Sequence, residues 1–290
     1  MESLSLQVPL RSNTRRRQTR ARLGVPRPFL KWAGGKAQLL AQYEPYFPPV
    51  IKGTYHEPFL GGGAVYFHLR PPKAILSDSN AELIHCYKII KSKPRPLIRS
   101  LGRHENSEVH YYRIRRQAPA RLDSVERAGR TIYLNKTCYN GLFRVNRSGQ
   151  FNVPFGRYKN PRFCEKDNIL AVSGQLKAAT LVVAPFQSVV DRVRAGDLVY
   201  LDPPYHPLST TANFTAYTRD SFGERDQRQL AGVVAELSRK GCQVMLSNSD
   251  APLIHELYRE FTRIRVEAKR AINSIASRRG KIGELLILNC

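Results

Sequence analysis

The stretch Asp197-Leu198-Val199-Tyr200-Leu201-Asp202-Pro203-Pro204-Tyr205 decides how this chain is read. An apolar, strand-favouring run meets an acid and two prolines, and proline cannot continue a central ladder. The strand therefore stops at Asp202 and leaves that carboxylate at its carboxyl end, where open α/β sheets build their sites. Two locked φ angles make the following carbonyls nearly rigid, and an aromatic ring comes next. A carboxylate, a fixed carbonyl and a flat ring suit the exocyclic amino group of a planar base. Asp202 and the Pro203 carbonyl can each accept one amine hydrogen while Tyr205 stacks on the ring. An ordinary Pro-Pro turn at a strand end has the same letters, so the remainder of the chain has to decide.

Toward the amino terminus, Thr54 to Phe59 reads as a short strand running into Leu60-Gly61-Gly62-Gly63-Ala64-Val65, and a helix continues to about Leu69. Strand, glycine loop and helix make the first unit of a Rossmann-like sheet, in which glycines lacking a Cβ let a ligand press on the loop backbone. The next strand, Ala74 to Ser77, ends at Asp78, where an acid can accept from the two hydroxyls of a ribose. Asp78 serves equally well as the N-cap of a helix over Asn80 to Ile90. The glycines do not follow the Gly-x-Gly-x-x-Gly spacing, so a nucleoside without phosphates, such as the adenosine of S-adenosylmethionine, fits better than a dinucleotide. Further upstream, Lys31-Trp32-Ala33-Gly34-Gly35-Lys36 sets a Gly-Gly turn before a helical pattern from Ala37 to Tyr46. A helix start of this kind binds anions, but the order is not that of a triphosphate loop.

The strand and helix rhythm breaks over residues 93–165. Tyr111 to Arg116 and Asp123 to Leu134 read as helices, whereas Asn140-Gly141 and Ser148-Gly149 are turn signals within a hairpin and loops over 136–158. Cation, aromatic, amide and apolar side chains interleave there as a DNA reader requires, with Arg for guanine edges and apolar wedges for unstacking. A solvated basic face on an insertion would have the same composition. The rhythm returns with strand Thr180 to Val183, a helix over Ser188 to Val193, and the strand ending at Asp202. Beyond it, His206 to Phe222, Thr- and Ser-rich with Phe214 and Tyr217, reads as a lid-like loop. A helix over Gln227 to Arg239, a strand over Gly241 to Asn248 and a helix over Pro252 to Phe261 follow. The closing strands, Arg265 to Ala268 and Glu284 to Asn289, flank a basic segment with Arg278, Arg279 and Lys281.

Composition narrows the partner. Lys and Arg number 47 against 23 acids, a net charge of +24 over 290 residues, which calls for a polyanion. No apolar run approaches the ~18 residues of a spanning helix, so no membrane partner is expected. Cys86, Cys138, Cys164, Cys242 and Cys290 are widely spaced, with no Cys-x-x-Cys pair, which supports neither a disulfide framework nor a metal site. A reducing cytoplasm is the expectation, with no obligatory protein partner. Residues 1–27 carry seven arginines and one acid, and read as a disordered basic arm that either adds phosphate affinity or is a solvated tail.

Taken together, Lys31 to Lys36, Glu57 to Val65 and Asp202 to Tyr205 resemble, in that order, the cofactor, glycine and catalytic motifs of the Dam-type, class alpha (D12) DNA N6-adenine methyltransferases. The resemblance covers about residues 28 to 289 and implies an α/β, Rossmann-like methyltransferase sheet with an inserted, mainly helical plus hairpin DNA-recognition domain. Its parts would be 28–92 and 166–290 for catalysis and 93–165 for recognition. It implies S-adenosylmethionine as methyl donor with no metal, double-stranded DNA as substrate, and a flipped adenine. Asp202, Pro203, Pro204 and Tyr205 fall at its catalytic positions. Trp32, Lys36, Glu57, Phe59, Gly61, Gly63, Asp78 and Asp202 fall on cofactor positions. Lys31, Tyr139, Asn140, Leu142, Arg144, Pro154 and Arg157 fall on DNA-reading positions. The segments around Tyr139 to Arg144 and Phe151 to Tyr158 are similar to those of members that read GATC. Two other classes compete: a methyltransferase acting on RNA or on a protein glutamine, whose related motif begins with Asn, and a DNA-binding homologue without catalysis. Asp at 202 and the basic insertion argue against the first, and the intact motifs against the second. A carbon-5 cytosine enzyme would need a nucleophilic cysteine, usually after proline, and the chain has no Pro-Cys pair.

Overall fold

The computed structural model describes residues 24–207, 222–269 and 281–289. Residues 1–23 of the basic arm, most of the lid-like loop with Phe214 and Tyr217, and the segment with Arg278 and Arg279 lie outside the described residues, as does Cys290. A short helix α1 (Leu40–Tyr43), flanked by 3₁₀ turns and halted where Pro45 enters, replaces the continuous helix expected to Tyr46. Strand β1 (Tyr55–Glu57), helix α2 (Ala64–Leu69), strand β2 (Ala74–Asp78) and helix α3 (Ala81–Ser92) form the first α/β units. Helices α4 (Pro94–Leu101), α5 (Glu108–Arg116), α6 (Ser124–Thr137) and α7 (Lys166–Leu176) lead to β3 (Ala179–Val183) and β4 (Leu198–Leu201). The chain closes with α8 (Glu224–Arg239), β5 (Gln243–Ser249), α9 (Pro252–Leu257), β6 (Thr262–Lys269) and β7 (Lys281–Leu288).

These strands make one seven-stranded sheet in the order β3-β2-β1-β4-β5-β7-β6. Strands β1 to β5 are mutually parallel, and β7 runs antiparallel between β5 and β6. From β1 the chain steps outward to β2 and β3, then returns to place β4 on the other side of β1. That reversal between β1 and β4 is the switch point at which open α/β sheets bind ligands, beyond the carboxyl ends of the strands. Leu198 to Leu201 are all buried, as a central strand covered on both faces requires. Their side chains alternate: Leu198 and Tyr200 join the apolar cluster on one face, Val199 and Leu201 that on the other.

The insertion has no separate core. Leu97, Leu101, Tyr111, Tyr133 and Leu134 belong to the same buried cluster as Tyr55, Leu76 and Tyr200 of the sheet. Side chains that seek their own backbone set the helix starts here: Ser107 accepts from His110 N–H, and Asp123 accepts from the N–H groups of Val125 and Glu126. After α6, the expected hairpin pairs at the isolated bridges Cys138 to Phe155 and Val145 to Phe151 and not as two continuous strands. Further helical readings change. The expected helix over Ser188 to Val193 is a 3₁₀ turn, Phe186–Val189, in a stretch where three valines disfavour helix. Helix α9 stops at Leu257, short of Phe261. Helices α4 and α7 were not read as separate elements, because Pro94 and Pro96 stand in the first turn of the first and Gly174 interrupts the second.

Candidate active site

The carboxyl ends of β1, β2 and β4 bring Glu57, Asp78 and Asp202 to one cleft, which the glycine loop, Trp32, Lys36, Phe59 and the Pro203-Pro204-Tyr205 turn also line. Every residue assigned from the sequence to catalysis or to the cofactor therefore faces a single space. The loop over Gly61 to Gly63 is fixed from below by a tyrosine: Tyr87 donates from its hydroxyl to the Gly61 carbonyl at 3.1 Å. Gly63, at φ +66°, could not carry a side chain, since a Cβ would lie 2.8 Å from that hydroxyl. At Gly61 the same test meets the Trp32 ring, 2.8 Å away, so the indole rests directly on the loop.

Asp78 is not the helix cap. Asn80 fills that role, accepting from Leu83 N–H at 3.1 Å, while Asp78 accepts from Gly61 N–H at 3.1 Å and from Asn80 N–H at 2.9 Å. The carboxylate thus ties the glycine loop to the start of α3. Burial pushes its pKa up, against the two N–H groups that favour its charged form. Glu57 is wholly buried and receives the Tyr55 hydroxyl at 2.7 Å. Burial raises its pKa to about 8, the Tyr55 bond opposes the rise, and the charge of Asp202 adds to it.

Asp202 Oδ1 is 2.8 Å from the Lys36 ammonium, which also donates to the Gly34 carbonyl at 2.6 Å and lies 4.7 Å from the centre of the Tyr205 ring. The lysine is 5% exposed and the aspartate 20%, so the pair opens only toward the cleft. Burial lifts the Asp202 carboxyl to about 6; Lys36 pulls it down and Glu284 pushes it up. Tyr205 is held by its hydroxyl, which donates to Glu284 Oε2 at 2.6 Å. Behind the prolines a buried amide pair fixes the turn. Gln227 donates to the Pro204 carbonyl at 3.0 Å, and Asn248 donates to Gln227 at 2.9 Å. Ser247 joins the hydroxyls of Tyr200 and Tyr43 at 2.7 and 3.0 Å, and Ser249 donates to the His206 carbonyl at 2.8 Å. Among the described residues no donor reaches the Pro203 carbonyl.

Sequence reading missed Gln227, Ser247, Asn248, Ser249 and Glu284. For the serines and asparagine a signal was present: the buried strand Val244-Met245-Leu246 ends in the polar run Ser247-Asn248-Ser249, as the β4 run ends in Asp202. Glu284 escaped because it sits near the amino end of an antiparallel strand, which reaches the same side of the sheet from the opposite direction.

The residues read as DNA contacts lie apart from the carboxylates, on the hairpin and the segment beside it. Tyr139 is 55% exposed. Its neighbour Asn140 takes a left-handed conformation at φ +54°, and Leu142 follows the turn. Arg144 reaches across the hairpin to donate to the Asn152 side chain at 2.8 Å, Pro154 accepts from Tyr139 N–H at 2.9 Å, and Arg157 lies 3.7 Å from Glu108. Lys31 is where the two regions meet. Its ammonium lies 3.8 Å from the centre of the Tyr158 ring, and the next residue, Trp32, stacks on Phe143 with centroids 5.6 Å apart.

Residues 32–272 match the model of the D12 class N6 adenine-specific DNA methyltransferases. The chain belongs to this family. It is 44% identical over 271 residues to the Type II methyltransferase M1.LlaDCHI of Lactococcus lactis subsp. cremoris, covering 91% of this chain and 95% of that protein. It is 42% identical to the Type II methyltransferase M.MjaIII of Methanocaldococcus jannaschii, covering 91% and 99%. Against the DNA adenine methylase of Serratia marcescens it is 38% identical, covering 90% and 98%. As a D12 methyltransferase the protein is an adenine-specific DNA methyltransferase, its substrate is DNA, and its methyl donor is S-adenosylmethionine. Membership removes the RNA, protein-glutamine and inactive readings. No helix among the described residues is long and apolar enough to cross a membrane.

Proposed function

We propose that the cleft beyond β1, β2 and β4 transfers a methyl group to N6 of an adenine flipped out of a GATC site, and that the hairpin within the 93–165 insertion reads that site. The chemistry of the donors fits the methyl donor. Asp78 offers acceptors for ribose hydroxyls, the glycine loop leaves room for a nucleoside, and Asp78, Asp202 and Glu284 line the cleft with more acid than Lys36 can neutralise. A ligand with both a sulfonium and an ammonium suits such a cleft. When bound, it supplies an electrophilic methyl on sulfur.

The observation that carries the reading is that Asp202, Pro203 and Tyr205, the last anchored by its hydroxyl, all line that cleft. Adenine N6 is a weak nucleophile because its lone pair is shared with the ring. Accepting one N–H on Asp202 and the other on the Pro203 carbonyl favours a more tetrahedral nitrogen and aims its lone pair along the transfer line. Tyr205 supplies the stacking face, and its bond to Glu284 fixes the ring before the base arrives. After the N–C bond forms, N6 must lose a proton, and Asp202, with its raised pKa, is a better acceptor than an ordinary carboxylate. Entry of the adenine amine requires the Lys36 ammonium to share Asp202.

On the hairpin, Arg144 can pair with guanine O6 and N7, Leu142 and Pro154 can press on a thymine methyl, and exposed Tyr139 can fill the space the adenine leaves. Lys31 reads or clamps the other side of the site. Duplexes that differ from GATC at one base pair each test the assignment. Transfer of labelled methyl should be fastest on GATC, and equal rates on all of them would remove it.

A further inference from the structure

We infer that Asn135 is a positioning residue that couples the base-reading hairpin to the methyl-donor pocket, so that engagement of one tightens the other. Asn135 lies in the last turns of α6 and is wholly buried. Its Oδ1 accepts from Lys31 N–H at 2.8 Å, while its Nδ2 donates to the Lys31 carbonyl at 2.8 Å and to the Gly141 carbonyl at 3.0 Å. Only one orientation of the amide meets one donor and two acceptors, so the contact is fully specified. One side chain therefore holds the backbone of the cofactor-motif segment and that of the hairpin's entry turn, 104 and 6 residues away in sequence.

Two further contacts make the junction tight. A Cβ at Gly141, already at φ +64°, would lie 2.3 to 2.9 Å from three side-chain carbons of Lys31, so backbone and lysine stem touch. One residue on, the Trp32 ring stacks on Phe143 while its other contacts reach the Gly61 loop. From the loop the path runs through Gly61 N–H to Asp78, and along the same N-terminal segment to Lys36 and Asp202. Displacement of the Tyr139 to Arg144 turn on DNA must move Gly141 and Phe143, and with them the peptide of Lys31 and the indole on the glycine loop. By linkage, cofactor that fixes the loop biases the turn by the same factor. Asn168 supplies a comparison inside the molecule. Its amide clamps Arg27 in the same way, accepting from N–H at 2.9 Å and donating to the carbonyl at 3.1 Å, with no bond to the hairpin among the described residues.

This inference rests on the proposed reading of the hairpin, and its test separates the two. The affinity of S-adenosylhomocysteine is measured by calorimetry, alone and with saturating duplex. The duplex carries an abasic site in place of the target adenine, so that no base bridges Asp202 and the ligand. Wild type should bind about tenfold tighter with the duplex, within the usual range of such couplings. Asn135→Asp can still accept from Lys31 N–H but loses both amide hydrogens: as a carboxylate it donates to neither carbonyl, and protonated to one at most. It should bring the ratio to within about twofold of unity, with unchanged affinity for each ligand alone. Phe143→Leu, which leaves every hydrogen bond of the junction in place, should lower the ratio too and carries the test if Asn135→Asp does not fold. Asn168→Asp should keep the wild-type ratio. A wild type without coupling, a full ratio in both junction variants, or an equal loss in Asn168→Asp would each overturn the proposal. If wild type couples equally to GATC and to duplexes altered at another base pair, the GATC reading fails while the Asn135 result stands.

Discussion

The cleft and the hairpin are built on opposite plans. In the cleft, acidic groups stand at the ends of buried parallel strands, and their positions are over-determined: Tyr205 by Glu284, Pro204 by Gln227 and Asn248, the glycine loop by Tyr87 and Asp78. On the hairpin Tyr139, Arg144, Pro154 and Arg157 are exposed, the chain pairs at isolated bridges, and among the described residues the Arg144 side chain is bonded to Asn152 across the turn. On the proposed reading, the difference follows from the work of each. Methyl transfer requires atoms held within tenths of an ångström in a space that excludes water, and strand ends supply that. Reading a duplex requires side chains that can leave one partner for a base edge or a phosphate at small cost, and an exposed hairpin supplies that. On that reading the charges divide in the same way, with Asp78, Asp202 and Glu284 lining the cleft proposed for a cationic donor and an excess of bases left for the polyanion.

The largest expected effect falls on the cleft. Asp202→Ala should slow single-turnover methyl transfer by at least about 10²–10³-fold, the loss associated with one preorganised hydrogen-bonding partner of the transition state. Duplex affinity, read by fluorescence anisotropy, should survive. The same change leaves the buried Lys36 ammonium without its carboxylate, so thermal stability should fall as well, and Asp202→Ala with Lys36→Met should restore stability without activity. On the hairpin, Arg144→Ala should cost about 1–3 kcal/mol of discrimination at one base pair. A uniform loss of affinity on every duplex would make Arg144 a phosphate contact. Back in the cleft, Asp78→Ala should weaken S-adenosylmethionine binding by ~1–3 kcal/mol, as unpaired hydrogen-bonding groups require. Calorimetry showing unchanged affinity would leave Asp78 as a loop tie alone.

The smallest effect is on pH dependence. Asp202, with its pKa near 6, faces Lys36, Glu284 and Tyr205. As pH falls through 6 it takes up a proton and loses an acceptor for the amine, so the transfer rate should decline on the acid side. Lys36 lowers that pKa, so the acid limb of Lys36→Met should lie at higher pH than that of wild type. A limb that stays in place would show that another group sets it.

Much of the cleft was legible because its signals are local. A strand that ends at Asp-Pro-Pro announces its own boundary, and three consecutive glycines between a strand and a helix announce theirs. The supports were not legible, because Gln227 and Glu284 act on residues 23 and 79 positions away. Nothing in an amphipathic helix marks the one glutamine that turns inward to a proline carbonyl. Asp78 shows the limit differently: its letters suit a cap or a ribose acceptor, and only the backbone path shows that Asn80 caps α3 while Asp78 binds the loop. The broken rhythm over 93–165 set that stretch apart in the sequence, but composition gave no hint that two of its tyrosines share the core of the sheet. Tyr111 and Tyr133, which the sequence placed on helices without showing what they pack on, are fully buried and donate to the carbonyls of Val153 and Glu105.

The division of labour between cleft and hairpin is tested most directly by one matrix of rates. Single-turnover transfer of labelled methyl is measured for wild type, Asp202→Ala and Arg144→Ala on GATC and on duplexes that each differ from it at one base pair. The account predicts that Asp202→Ala lowers every rate by a common factor and keeps the order of the duplexes, whereas Arg144→Ala changes the order at one base pair. Wild-type turnover in Asp202→Ala, or an unchanged order in Arg144→Ala, would contradict it.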